Sequence, residues 1–331
     1  MKFIYVTCGG FNALSPDEQV ETVELAASVG FDAFLKLWHM APEQADVLVP
    51  ACHNYGMEFI ATVPMFDGMP PFEASDGSTA PACPNYAWNG LEDRLVKDIS
   101  FWCGKADSLY VLGGLDWYGY PNRPMIGGDP WKRKRDGLLW TASAEFRERF
   151  AQDIGGAPAM CVADDPSGKT LSWYFDLVDL YFTNAFHLAH NYGFDTVYMY
   201  QTLDMYRTEY AFQLGRVMSD LRVYRILETC PDELNVWQIC YSNYQAFTTA
   251  LEFAIYRKIM PVRTVVGAGW ANGLVQDRNA LRAVRDGHDG VLVSPVWMHD
   301  GIHETGTPLK NMRNSDYHRQ ITEAIQEAKA V

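Results

Sequence analysis

Short apolar runs rich in β-branched and aromatic side chains alternate along this chain with longer stretches whose apolar residues recur at helical spacing. The runs predict strands at Lys2–Cys8, Asp32–Trp38, Met57–Val63, Ser108–Gly113, Ala157–Ala163, Leu177–Thr183, Thr196–Gln201 and Asn235–Tyr241. Two further candidates stand at Arg263–Gly267 and Gly290–Pro295. The first helix follows Ser15-Pro16-Asp17-Glu18, an N-cap with proline at the first helical position, and stops at Gly30. Others are expected from Pro42 to Gly56, over Leu91–Lys105 and Ala142–Ile154, briefly at Leu171–Phe175, then over Thr208–Thr229, Gln245–Ile259, Leu274–Arg285 and Asp316–Ala330.

Strands that alternate with helices form parallel βα units, because a parallel neighbour is reached only through a crossover. The fold class is therefore α/β, a (β/α)8 TIM-type barrel with long loops after strands three and four, 64–90 and 115–141. Ten strand candidates compete for eight places. In one arrangement residues 1–260 form the barrel and 261–331 a C-terminal βαβ and helical extension packed on it. In the other, the last pair of strands completes the barrel and two earlier candidates belong to an insertion.

Most predicted strands run straight into polar and aromatic residues. In parallel folds the carboxyl ends of the strands carry the chemistry, so these residues are the candidates for function. Asp67, Asp116, Asp165 and Asp204 each follow a predicted strand. Asp116 is the least easily read as a helix cap: it lies in Gly113-Gly114-Leu115-Asp116-Trp117-Tyr118, far ahead of the next helix and among aromatics. Two carboxyl groups, one acid and one base or nucleophile, are the minimum set for glycoside hydrolysis. Asp116 and Asp204 are the expected pair, with Asp165 next. Trp38, His39, Trp117, Tyr118, Trp270 and Trp297 also fall at strand ends or in loops. Their rings suit the C–H faces of sugars, while Asp67 and Asn243 can bond hydroxyls.

Composition narrows the field. The 331 residues carry 41 acidic against 27 basic side chains, a net charge of −14. Such a surface repels phosphate backbones, which excludes nucleic acid and argues against anionic membranes. The basic run Lys132–Arg135 is read as a solvated loop. The seven cysteines show no C-x-x-C spacing and read as reduced thiols of a reducing compartment. No signal peptide and no apolar run of membrane-spanning length is visible, so cytoplasmic assembly is expected.

Other motifs carry less. Gly267-Ala268-Gly269-Trp270-Ala271-Asn272-Gly273 approaches a dinucleotide fingerprint, but Asn272 replaces its third glycine and Trp270 obstructs the turn. His187 with His190, and Asp300 with His303, have a ligand-like spacing of three. Capping and surface roles are expected of them, with no metal and no cofactor. Lys36 is the one lysine besides Lys2 within a predicted strand, and would serve a Schiff-base aldolase or isomerase.

Two segments resemble a known group. Ala26–Phe34, AASVGFDAF, resembles the strand-two signature of the α-glycan-cleaving barrels of glycoside hydrolase families 71 and 99. Arg225–Tyr244, RILETCPDELNVWQICYSNY, is similar to their final strand. The resemblance implies a glycan-cleaving barrel over roughly Met1–Gln245. The two carboxylates of that family fall at Asn243 and Ala246 here, so those roles do not transfer. The expected function is a glycan-acting barrel of glycoside-hydrolase type, cleaving or binding a cell-surface or envelope polysaccharide. The alternative is a catalytically silent carbohydrate-binding or structural barrel in a larger assembly, such as a phage tail. The expected partner is carbohydrate, with self-association or membership of a virion assembly open.

Overall fold

The computed structural model describes residues 1–7, 11–36, 40–63, 72–73, 79–80, 87–112, 144–159, 167–200, 226–240, 263–267, 287–293, 313 and 315–330. Eight parallel strands close into a barrel: β1 (Lys2–Val6), β2 (Ala33–Lys36), β3 (Glu58–Val63), β6 (Ser108–Leu112), β7 (Thr196–Tyr200), β8 (Asn235–Cys240), β9 (Arg263–Gly267) and β10 (Gly290–Val293). Ring order follows chain order, and β10 returns to pair with β1. A two-stranded antiparallel ribbon, β4 (Phe72–Glu73) with β5 (Thr79–Ala80), lies in the connection after β3. The fold is a (β/α)8 barrel.

Among the described residues the helices around it are α1 (Pro16–Val29), α2 (Pro42–Asn54), α3 (Leu91–Trp102), α4 (Ala144–Asp153), α5 (Lys169–Asn191) and α6 (Ser315–Lys329). The start of α1 is written in its first residues. Ser15 and Glu18 form a reciprocal capping box, and Gly30 ends the helix at φ +105°.

Both faces of the sheet are covered, so the strands are apolar at successive positions. Phe3, Tyr5, Phe34, Phe59, Leu109, Val111 and Val197 pack toward the helices. Ile4, Val6, Leu35, Ile60, Tyr110, Tyr198, Trp237 and Val265 fill the lumen.

The ring takes up the last two strand candidates and leaves out two earlier ones. Arg263–Gly267 and Gly290–Val293 stand inside the ring, between β8 and β1. The run at Leu177–Thr183 is helix, the middle of α5. Its aromatic content suggests a strand, yet Leu177, Tyr181, Phe182, Ala185, Phe186 and Ala189 form one buried stripe of helical period. The short helix at Leu171–Phe175 is the beginning of the same element. At Ala157–Ala163 the first three residues are not in a strand, and the remainder lies outside the described residues. Because β6 pairs directly with β7, the ring has no place for a strand between them.

A repeated device ties the floor of the barrel. A glycine of positive φ and, two or three residues on, an aspartate precede β2 (Gly30, Asp32), β6 (Gly104, Asp107), β7 (Gly193, Asp195) and β10 (Gly287, Asp289). Asp32 Oδ2 accepts the Phe3 amide at 2.8 Å, Asp107 Oδ2 that of Phe59 at 2.7 Å, and Asp289 Oδ2 that of Thr264 at 2.8 Å. Each of these aspartates also donates its own amide to the carbonyl of the same partner residue. The two-point clasp fixes the register of neighbouring strands where the ladder begins. Lys329 of α6 adds a bond to Asp32 Oδ1 (2.6 Å) and one to the Gly30 carbonyl (2.9 Å), drawing the last helix onto the first strands.

Removing a clasp leaves a strand amide without its carboxylate. Asp107→Ala and Asp289→Ala are each expected to cost about 1–3 kcal/mol in urea unfolding. They share no partner, so the double variant is expected to lose the sum.

Candidate active site at the carboxyl end of the barrel

The lumen is closed from below. Lys2, Glu58, Ser108 and Arg263 stand at the first positions of β1, β3, β6 and β9. Lys2 forms an ion pair with Glu58, and Ser108 Oγ donates to Glu58 Oε1 at 2.5 Å. The Tyr198 hydroxyl reaches down to the same cluster, accepting from Lys2 at 3.2 Å and donating to Glu58 at 3.4 Å. Lys2 Nζ and the Arg263 guanidinium each lie 5.0 Å from the Trp237 ring centroid. Above this polar layer Tyr198 packs on Trp237 with centroids 5.6 Å apart. Desolvation, with Glu58 beside it, raises the Tyr198 pKa and keeps the phenol protonated. The floor is a packed, paired stratum, and a ligand has to approach from the opposite, carboxyl end.

At that end the strands finish on one circular rim. Trp38 and His39 follow β2 by two and three residues, and Asp67 follows β3 by four. Asp116 follows β6 by four, and Asp204 follows β7 by four. Asn243, Trp270 and Trp297 follow β8, β9 and β10 by three, three and four. These residues, with Trp117, Tyr118 and Asp165, lie outside the described residues. Asp165 differs from the others in its setting: it falls between α4 and α5, and no barrel strand runs between those helices.

Lys36 is the described charged group at this rim. It ends β2 and is 2 % exposed, with Nζ 5.9 Å from the Phe11 ring centroid. Its place in the strand alternation matches Phe34 and, across the ladder, Ala61, which pack toward the helices. The side chain therefore leaves β2 on the helix side of the sheet rather than into the lumen, an unsuitable direction for a Schiff base formed in the barrel mouth. Burial pushes its pKa down to about 8. The Lys36 carbonyl accepts the Thr62 hydroxyl at 2.7 Å, which joins the ends of β2 and β3.

The cysteines with shifted thiols are poor nucleophiles. Burial raises the Cys52 pKa, and it pushes Cys230 up to about 12. Among the described residues, no group of three or more His, Cys, Asp or Glu could hold a metal ion, and no helix is long and apolar enough to cross a membrane.

No protein-family model and no curated protein matches the chain. Solved structures do. The catalytic domain of β-amylase from Paenibacillus polymyxa aligns with a TM-score of 0.61 at 9% identity, covering 88% of this chain and 91% of that one. The pneumococcal virulence factor StrH, a structure concerned with N-glycan recognition and hydrolysis, aligns at 0.54 with 8% identity, covering 99% and 83%. A truncated 3-deoxy-D-arabino-heptulosonate 7-phosphate synthase from Thermotoga maritima aligns at 0.50 with 11% identity, covering 99% and 87%. Glycosidases and a synthase thus share this barrel, and at such identities the likeness is one of fold.

The buried amine makes stability depend on pH. Lys36 binds its proton more weakly folded than unfolded, so stability is full above the ordinary lysine pKa and falls as pH drops toward about 8. Denaturant unfolding from pH 10.5 to pH 8 is expected to lose up to about 3 kcal/mol through this group. Lys36→Met is expected to flatten that slope.

Proposed function

We propose that the protein acts on a glycan at the carboxyl rim of the barrel, with Asp116 and Asp204 as the carboxylate pair of a glycoside hydrolase. The supporting observation is a register. Leu112 of β6 pairs with Tyr200 of β7, and each acid stands four residues beyond its member of that pair. The chain therefore continues toward both acids from adjacent strands that end at one level, where strand axes are about 4.8 Å apart. Glycoside hydrolysis needs its carboxyl groups about 5–10 Å apart, a span this start favours. One acid protonates the leaving oxygen; the other serves as base or nucleophile.

Trp117 and Tyr118 accompany Asp116 in the chain, and Trp38, His39, Asp67, Asn243, Trp270 and Trp297 follow other strands of the ring. In this reading they supply stacking surfaces and hydroxyl partners for successive sugars. The substrate is a cell-surface or envelope polysaccharide. The likeness of Ala26–Phe34 to families 71 and 99 supports the barrel more than the cleavage. Its Gly30-Phe31-Asp32 core belongs to the floor clasp, which recurs before other strands.

Purified protein incubated with bacterial cell-wall polysaccharide is expected to release reducing ends. Asp116→Asn and Asp204→Asn are each expected to lower that rate by about 100-fold or more, with thermal unfolding unchanged. Full activity in either variant would remove that acid from the mechanism. Glycan binding with no cleavage in the wild type would instead favour the silent, carbohydrate-binding barrel.

A further inference from the structure

We propose that a second site, a cavity between α2 and α3 beside the end of β3, binds a saccharide bearing one anionic group, a carboxylate or a phosphate. The cavity has a volume of about 560 Å3, within the usual range for small-molecule sites. It reaches Thr62 near the carboxyl end of β3 and Met40 and Pro42 at the start of α2. One stripe of α3 forms its other side: Arg94, Lys97, Asp98 and Phe101, at helical spacing.

The charges on that stripe do not cancel. Arg94 Nε donates to Asp98 Oδ2 at 2.6 Å, and both side chains are largely shielded, at 16% and 13% exposure. That bond uses one donor of the guanidinium. The terminal amino groups of Arg94 and the ammonium of Lys97 have no carboxylate partner among the described residues. Among the described residues the lining holds two cations against one anion, in a chain whose net charge is −14. A planar guanidinium with its outer edge unused matches a carboxylate or phosphate. Met40, Phe101 and Trp102 provide an apolar wall for the body of the ligand. The anionic group follows from the cavity alone; the choice of a sugar as its carrier rests on the glycan reading above.

Titration calorimetry of the full chain with glucuronate, glucose 6-phosphate, glucose and benzoate tests this. Glucuronate or glucose 6-phosphate is expected to bind at least tenfold more tightly than glucose, and added salt is expected to weaken that binding. Whichever acid sugar binds identifies the anionic group. Arg94→Lys keeps the charge but loses the planar fork, and Lys97→Gln removes an exposed cation with little effect on folding. Each is expected to weaken acid-sugar binding about tenfold, while Asp116→Asn leaves it unchanged. That last variant separates this site from the cleavage reading: lost hydrolysis with intact acid-sugar binding keeps the cavity proposal. Equal affinity for glucose, benzoate binding without binding of either acid sugar, no binding at all, or indifference to both α3 substitutions would overturn it.

Discussion

Ring closure is the constraint on which everything else in this molecule depends. Parallel strands leave no short route between neighbours, so each pairing has to be set over a long excursion of chain. Here the pairing is pinned where it begins. Asp32, Asp107 and Asp289 each hold the second residue of the preceding strand in the ring by a carboxylate and an amide at once. A slip of one residue would break both bonds and would turn Ile4, Ile60 or Tyr110 out of the lumen. With the floor fixed, the upper ends of the strands meet on a common circle.

The sequence discloses the parts of this arrangement that local chemistry dictates. Ser15, Pro16 and Glu18 place α1 to the residue, because capping is a contact between near neighbours. Strand ends are legible to within a residue or two where an apolar run meets polar and aromatic residues: the ends expected at Trp38 and Gly113 stand beside the observed Lys36 and Leu112. The interior of α5 is misread because its tyrosines and phenylalanines suit a strand in composition while their spacing suits a helix. The floor clasp stands in the sequence as Gly30-Phe31-Asp32 and Gly287-His288-Asp289, and Gly193-Phe194-Asp195 repeats the spacing, yet three residues repeated at unequal intervals escape a search for longer repeats. The polar layer of Lys2, Glu58, Ser108 and Arg263 escapes notice because its members meet only after closure.

The candidate site is legible in position more than in geometry. Periodicity indicates which residues follow a strand, and the ring gives those positions a shared rim. It also separates Asp116 and Asp204, which follow adjacent strands of the ring, from Asp165, which lies in the connection between β6 and β7. How far two carboxylates stand apart depends on loop conformation, which no hydrophobic pattern records. Lys36 illustrates the same limit: its place in a strand is plain in the sequence, while its direction toward the helix layer emerges from the alternation of Phe34 and Ala61 in the closed sheet.

Floor and rim thus divide the work. The N-terminal layer is paired and filled, and binds the strands together; the carboxyl rim is where the proposed glycan chemistry takes place. The most direct measurement is the separation of the Asp116 and Asp204 carboxyl groups in crystals grown with a bound oligosaccharide. The account predicts two carboxyls about 5–10 Å apart on either side of a glycosidic oxygen. Carboxyls farther apart than that, or turned to different faces of the barrel, would contradict it.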